Sequence, residues 1–110
     1  MKRSTTTKES DIQRDVLAYL KARNILHFRT PNITFRRRRH IVKTGVSDII
    51  ILHNSKFIAA EIKKPKGILS EKQKQFNQEV IHNGGFSIIA YSLNDFIEKF
   101  NAIDNHRISN

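Results

Sequence analysis

The chain has 110 residues, 38% of them hydrophobic and 27% charged, which is typical of one soluble globular domain and excludes a disordered chain. No cysteine is present, so disulfides and thiolate zinc sites are excluded, and an intracellular, cytoplasmic protein is expected. Twenty Lys and Arg against ten Asp and Glu give a net charge of +10, a field that attracts a polyanion, most simply nucleic acid.

The periodicity of apolar residues predicts seven elements in the order αβββαβα. Helices are predicted over residues 9–23, 70–83 and 93–103, and strands over 26–29, 47–52, 56–63 and 86–91. The second helix is expected to end at Gly84-Gly85, since glycine tolerates the left-handed C-cap. We expect a single α/β domain over 9–103, with a central mixed sheet flanked by helices, a disordered tail over 1–8 and a polar tail over 104–110.

Two acidic residues stand in the most apolar part of the sequence, GVSDIIILHNSKFIAAEIKK. If Asn54 and Ser55 form a two-residue turn, Asp48 lies directly opposite Glu61, with the two Cβ atoms about 4.5–5.5 Å apart. Lys63 then lies on the same face, because side chains alternate along a strand. A slip of one residue in the register would instead place the two acids on opposite faces.

This cluster has the parts that metal-assisted hydrolysis of a phosphodiester requires. Carboxylate oxygens are the ligands that Mg²⁺ prefers, together with water and a substrate phosphate. The Lys63 ammonium can orient a water or offset charge that builds on the phosphate. The structural alternative is that Asp48 begins its strand while Glu61 and Lys63 form a solvated ion pair near the end of theirs.

Three further residues each allow two interpretations. Glu9 lies on or beside the buried face of the first helix and can bring a third carboxylate to the metal, but the local sequence TTKE favours a capping box. Gln73 ends a second capping-box sequence, SEKQ, and also lies on the inward stripe, where its amide can bond a water or a substrate phosphate. Gly45 permits close backbone approach to a ligand, or is a simple turn residue.

A basic segment from Arg29 to Lys43 contains six Lys or Arg and no acid. As a loop it can follow a phosphate backbone, which would make binding steeply dependent on salt. The alternatives are a solubilising loop and a patch resembling a nuclear-import signal. The candidate DNA-binding residues are Arg29, Arg36, Arg37, Arg38, Arg39, Lys43, Lys64 and Lys66.

Other kinds of site are weakly supported. Neither the phosphate-cradling GxxxxGK[ST] nor HExxH occurs, so we expect no nucleotide cofactor and no zinc-protease site. The five histidines are scattered and lack metal-ligand spacing. The longest aliphatic run, residues 49–52, is far too short to cross a membrane, and no apolar region follows the basic start as a secretory signal requires.

Four short stretches in combination resemble the VRR-NUC group of the PD-(D/E)XK nucleases. They are Glu9, GVSD ending at Asp48, EIK beginning at Glu61, and KGILSEKQ ending at Gln73. The resemblance covers the chain from the first helix to the last strand, and the element order agrees with the restriction-endonuclease-like αβββαβ core. Ser47 stands before Asp48, where the superfamily name has proline.

The resemblance implies a role for each matching residue. The implied catalytic residues are Asp48, Glu61, Lys63, Glu9 and Gln73, and the implied ligands of Mg²⁺ or Mn²⁺ are Glu9, Asp48, Glu61 and the Ile62 carbonyl. Lys63 would assist the attacking water, and Gln73 would support the site. Glu9 would complete the acidic cluster, which favours the metal-site interpretation over the capping box.

Stand-alone proteins of this group are similar to phage and prophage proteins, so a phage or bacterial origin is implied. They resemble Holliday-junction resolvases in being small homodimers whose two sites can nick a four-way junction symmetrically. The resemblance therefore implies a DNA partner that is branched, a homodimer and no membrane association. The wider family includes DNA repair nucleases.

Three hypotheses for function are therefore ranked. The first is a metal-dependent DNA endonuclease specific for branched DNA. The second is a nuclease that cuts duplex or single strands without junction preference. The third is a non-catalytic basic module that binds nucleic acid and in which the acids are structural. It ranks last because acids repel phosphate and serve no purpose in a pure binder.

Overall fold

The computed structural model describes residues 7–30 and 45–105. The expectations for the N-terminal tail before residue 7, for the polar tail after residue 105, and for Arg36–Arg39 and Lys43 fall outside these ranges. No helix within the described ranges has the length and apolar character needed to cross a membrane.

In the described part of the chain, three helices and four strands follow the predicted order. They are α1 (Glu9–Ala22), β1 (Leu26–Arg29), β2 (Ile49–His53), β3 (Lys56–Ile62), α2 (Glu71–His82), β4 (Phe86–Ala90) and α3 (Leu93–Asp104). Each boundary lies within two residues of the one predicted from apolar periodicity.

Left-handed residues end the first two helices. After α2, Gly84 has φ +90°, and its N–H donates to the Ile81 carbonyl while the Gly85 N–H donates to the Val80 carbonyl. This pair of hydrogen bonds is the Schellman motif. α1 ends in the same way, with Asn24 at φ 58° in the position that Gly84 holds after α2. Both turns direct the chain straight into the strand that follows.

The turn between β2 and β3 fixes the register of the hairpin. Asn54 and Ser55 have φ angles of 51° and 65°, and positive values at both positions are what a type I′ turn requires. The ladder continues from this turn to the pair Ile49 and Ala60. This is the predicted register, and the next pair outward consists of the two acids.

The strands form one mixed sheet in the order β1-β2-β3-β4. β2 pairs with β1 and with β3 in antiparallel orientation, and β4 joins β3 in parallel after the crossover through α2. The predicted α/β fold, with a central mixed sheet flanked by helices, is therefore confirmed.

The main hydrophobic core lies between the sheet and the pair α1 and α3. Val16 and Leu20 of α1, Phe96 and Phe100 of α3, and Ile51 of β2 are all fully buried there. Burying a side chain of this size contributes roughly 1.5–3 kcal/mol. The apolar stripes of both helices are therefore used within the domain.

α2 covers part of the opposite face of the sheet. Val80 and the half-buried Phe76 pack against Ile50 of β2 and Ala59 of β3 in a second, smaller cluster. Because side chains alternate along a strand, Glu61 points to the same face as Ala59. The face beneath α2 is therefore apolar at its centre and acidic at one end.

Candidate active site

The carboxyl groups of Asp48 and Glu61 lie close enough for each to shift the pKa of the other. Asp48 directly precedes β2, and Glu61 is the last residue but one of β3. Asp48 Oδ2 also accepts a hydrogen bond of 2.8 Å from the Ile62 N–H. The hairpin register therefore places the two acids together, as predicted.

Burial raises the pKa of both acids. Burial and the neighbouring Asp48 charge bring the pKa of Glu61 from 4.5 to about 8. Burial also raises the pKa of Asp48, although the hydrogen bond from the Ile62 N–H partly offsets this. Without a cation, neutral pH therefore favours the protonated form of Glu61, because its pKa of about 8 lies above 7.

Lys63 and Glu9 lie within electrostatic reach of the pair. The Lys63 ammonium lowers the pKa of both acids, and the Glu9 carboxylate raises both. Lys63 directly follows β3, where its N–H donates to the Ala90 carbonyl at 2.9 Å. The structure thus brings four of the predicted site residues to one end of the sheet.

Gln73 joins the acidic pair to the start of α2. Its Nε2 donates to Glu61 Oε2 at 2.8 Å. Its Oε1 accepts from the Ser70 N–H at 2.8 Å, while Ser70 Oγ accepts from the Gln73 N–H at 3.1 Å. The capping-box interpretation of Gln73 is confirmed, whereas its expected contact with a water or a substrate phosphate stays a prediction. Gln73 completes a capping box, and its amide binds within the site, with Glu61 as its partner.

The capping-box interpretation of Glu9 is wrong. α1 has Lys8 at its N-cap, so Glu9 is the first helical residue and not the third, which a capping box requires. Glu9 Oε2 instead accepts from the Lys64 N–H at 3.3 Å. This contact holds the start of α1 against the chain that leaves β3, next to the acidic pair.

Glu61 has an oxygen that suits a cation. Glu61 is only 2% exposed, and its Oε1 is buried without a hydrogen-bond partner among the described residues. Within residues 7–30 and 45–105, no three His, Cys, Asp or Glu side chains are arranged to hold a metal ion by themselves. Two carboxylates with main-chain, water and phosphate oxygens are the set that Mg²⁺ prefers. The residues present therefore fit a site for Mg²⁺.

Gly45 packs against the first turn of α2. This contact, and not a bound ligand, is what excludes a side chain at position 45. Gly45 has φ +76°, and a Cβ at this position would lie 2.2 Å from the Lys72 carbonyl oxygen and 2.9 Å from the Gln73 nitrogen. A side chain cannot be accommodated without moving backbone. Gly45 therefore lets the segment that carries Asp48 pack directly against the helix that carries Gln73.

Asn77 and the role of Ser47 were not predicted from the sequence. Ser47 and Asn77 are both buried, and Ser47 Oγ lies 3.5 Å from Asn77 Oδ1. The Ser47 carbonyl accepts from Thr30 Oγ1 at 2.7 Å. An amide four residues after Gln73, on the same side of α2, was the signal that could have identified Asn77. These contacts fix the position of Ser47, which directly precedes Asp48.

Three of the predicted DNA-binding residues fall within the described ranges. Arg29 ends β1, and Lys64 and Lys66 follow Lys63; all three are exposed. They lie in segments adjacent to the acidic pair, since the Thr30 N–H donates to the Asp48 carbonyl at 2.9 Å. Exposed cations therefore border the acidic site.

The fold matches that of a solved protein described as a VRR_NUC domain protein. The match has a TM-score of 0.69 and covers 88% of each chain, with 18% sequence identity. No family model matches the sequence, and no curated protein does. The resemblance that the motifs indicated is thus confirmed at the level of the fold, because the chain shares the fold of this VRR_NUC domain protein.

Proposed function

We propose that this protein is a metal-dependent DNA endonuclease that hydrolyses phosphodiester bonds. The observation that carries the proposal is the pair formed by the half-buried Asp48 and the buried Glu61, with the Lys63 ammonium within electrostatic reach. One oxygen of Glu61 has no hydrogen-bond partner within residues 7–30 and 45–105. Burying two like charges is costly unless a positive group balances them. A basic protein that only bound nucleic acid would have no use for such a pair.

The site residues have two roles: some would bind the metal ion, and others orient the attacking water or a metal ligand. Asp48, Glu61 and the Ile62 carbonyl would hold Mg²⁺ or Mn²⁺, with Glu9 as a further carboxylate. Bound there, the ion supplies Lewis-acid activation of water and of the phosphate. The Lys63 ammonium orients the attacking water and offsets the charge that grows on the phosphate. Gln73 holds Glu61 in place through its 2.8 Å hydrogen bond.

The substrate we propose is DNA, because the charge of the chain is +10 and exposed cations border the site. Arg29, Lys64 and Lys66 would contact the phosphate backbone from the described ranges. By their sequence, Arg36–Arg39 and Lys43 would do so too. These contacts position a backbone and carry no base readout.

We further propose that branched DNA, such as a Holliday junction, is cut by a homodimer with two such sites. This extends the resemblance of the motifs to small phage and prophage nucleases, and it suits DNA repair or recombination in a cytoplasm. A nuclease without junction preference is the second candidate, favoured by the lack of any base-reading feature around the described site.

Cleavage of labelled DNA tests the proposal. A four-way junction, a flap and a linear duplex with matched arms would be incubated with Mg²⁺ or Mn²⁺ and the wild-type protein. Lys63→Ala tests the site, and Lys56→Ala, at the other end of β3, is the matched control. Paired symmetric nicks in the junction alone, lost only in Lys63→Ala, are the expected result.

The other outcomes separate the hypotheses. Cutting of all three substrates would support nuclease activity and would reject the proposed preference for junctions. Tight binding with no metal-dependent cutting of any substrate would overturn the proposal in favour of a non-catalytic binding module.

A further inference from the structure

The face of the sheet that α2 covers has an uncovered apolar end. Four large side chains there are exposed: Leu26 by 67%, Phe28 by 59%, Leu52 by 51% and Phe57 by 41%. We call these four residues the apolar patch. Scattered exposed hydrophobic residues are ordinary on soluble proteins, whereas a contiguous apolar patch of roughly 300–600 Å² is often a functional surface.

The strand register makes the patch contiguous. Leu26 pairs with Leu52, which pairs with Phe57, so the three form one row across β1, β2 and β3. Phe28 lies two residues along β1 from Leu26 and on the same face. Beside the row, a groove of about 320 Å³ between β3 and α2 is lined by Phe57, Phe76 and Val80 among others. The patch therefore extends into a groove that can receive a side chain.

We propose that the apolar patch is the surface on which two copies of this chain associate. This refines the proposed homodimer and is otherwise independent of the nuclease activity. The first and last helices, α1 and α3, also have apolar faces. The structure removes them from consideration, because the stripes of α1 and α3 are buried in the domain's own core.

The size of the patch fits a second copy. Taking about 200 Å² for a fully exposed side chain of this class, the four residues present roughly 400 Å² of apolar surface. A standard interface buries about 800 Å² on each partner, of which roughly 65% is apolar in homodimers, or about 500 Å². The patch and the neighbouring groove supply most of that area.

Charge also favours this face for self-association. Two copies that each carry +10 repel one another wherever their basic surfaces meet. Leu26, Phe28, Leu52 and Phe57 carry no charge, so copies that meet there bring no like charges into the centre of the contact. An acidic protein partner would instead be drawn to the basic surfaces.

The row of Leu26, Leu52 and Phe57 lies toward the opposite end of this face from the acidic pair, and Phe28, whose partner is Ile50, lies between the two. Phe57 and Glu61 are four residues apart on β3, which corresponds to about 13 Å along a strand. Association through the patch therefore leaves the acidic pair of each copy outside the centre of the contact. Two sites related by a twofold axis are what paired cuts in one branched DNA require.

Sedimentation in the absence of DNA and metal tests the interface. The wild-type protein is expected at twice the chain mass of 12.8 kDa at micromolar concentration. Leu52→Glu and Phe57→Glu should weaken self-association on the order of 100-fold. Ile81→Glu is the matched control, because Ile81 is 60% exposed and lies outside the patch; it should remain dimeric. A monomeric wild-type protein, or dimers that survive both patch variants, would overturn the proposal.

Thiol labelling identifies what covers the patch, since the natural chain has no cysteine. Leu52→Cys should react with a maleimide more slowly as protein concentration rises, whereas Ile81→Cys should react at a constant rate. Slow labelling of Leu52→Cys at every concentration would show that the chain's own residues 31–44 cover the patch. Fast labelling at every concentration would show that the apolar patch is exposed in solution and available to a different protein. Either result would contradict association with a second copy, and neither result depends on nuclease activity.

Discussion

Gln73 connects the N-terminal turn of α2 to the acidic pair through one side chain. Its Nε2 lies 2.8 Å from Glu61 Oε2, and its Oε1 lies 2.8 Å from the Ser70 nitrogen. The capping box that starts the helix therefore also fixes the orientation of a proposed metal ligand. Folding of α2 and assembly of the site depend on the same amide.

Gln73→Glu should damage the site more than the helix. The variant keeps an oxygen for the Ser70 N–H but replaces the donor to Glu61 with a second acidic oxygen. We expect a loss of about 1–3 kcal/mol in unfolding free energy and a loss of cleavage of at least about 10-fold. Denaturant titrations and single-turnover cleavage rates measure the two effects.

Ser70→Ala is the control for Gln73→Glu. It removes the hydroxyl cap, at a cost of about 1 kcal/mol, but leaves the main-chain N–H that orients the Gln73 amide. Its cleavage rate should stay near that of the wild type. Equal losses of cleavage in the two variants would show that the helix cap, and not the amide contact, positions Glu61.

The stability of the metal-free protein should fall as the pH rises. Because the pKa of Glu61 is about 8 in the folded state against an ordinary 4.5, the folded protein binds more protons than the unfolded chain between these values. The contribution is complete below pH 4.5 and is lost as the pH rises through 8. It amounts to at most about 5 kcal/mol, and Asp48, whose pKa is also raised, acts in the same direction.

Glu61→Gln tests this pH dependence. A neutral amide of the same size has no proton to lose, so the variant should be more stable than the wild type at pH 9 and should show a flatter profile. Thermal unfolding in a chelator from pH 5 to pH 9 is the measurement. Parallel profiles for the two proteins would mean that Glu61 is ionised at neutral pH without metal.

Mg²⁺ or Mn²⁺ should stabilise the folded protein. A cation balances the two carboxylates, and at a concentration 100 times its dissociation constant it adds about 2.7 kcal/mol. The rise in melting temperature should be larger at pH 8.5 than at pH 6, because a cation competes with the proton on Glu61. Asp48→Asn combined with Glu61→Gln should abolish the rise. A rise that persists in that double variant would place the ion elsewhere.

Gly45→Ala should be far more disruptive than Gly84→Ala. Both glycines have positive φ, +76° and +90°, but a Cβ at Gly45 meets the Lys72 carbonyl oxygen at 2.2 Å, whereas a Cβ at Gly84 has nothing within 4 Å. Gly84→Ala should cost about 1–2 kcal/mol from backbone conformation alone. Gly45→Ala should cost more and should also lower cleavage, since it separates Asp48 from the start of α2. Equal losses of unfolding free energy would show that the packing against Lys72 is easily relieved.

The hairpin could be predicted because the residues that determine its register lie close together in the sequence. A two-residue turn at Asn54 and Ser55 fixes every pair in the ladder, so the meeting of Asp48 and Glu61 followed by counting outward from the turn. Helix boundaries followed from apolar spacing and from the glycines that end α2. These features depend on residues close together in the sequence.

Contacts between distant segments were not predictable in the same way. The approach of Gly45 to Lys72 and the burial of Asn77 against Ser47 depend on how α2 packs on the sheet, which no local pattern specifies. Capping boxes illustrate the same limit. The motif ending at Gln73 forms, and the one ending at Glu9 does not, because α1 begins two residues later than that motif requires.

The most direct test of the central claim compares cleavage and binding in Asp48→Asn. The asparagine oxygen can still accept from the Ile62 N–H, so the fold and DNA binding should be unchanged. Binding of one branched DNA would be measured alongside its cleavage in Mg²⁺. Cleavage reduced by at least about 1,000-fold with wild-type affinity is the predicted result. Cleavage that persists in Asp48→Asn, or that falls only in proportion to binding, would contradict a catalytic centre built on Asp48 and Glu61.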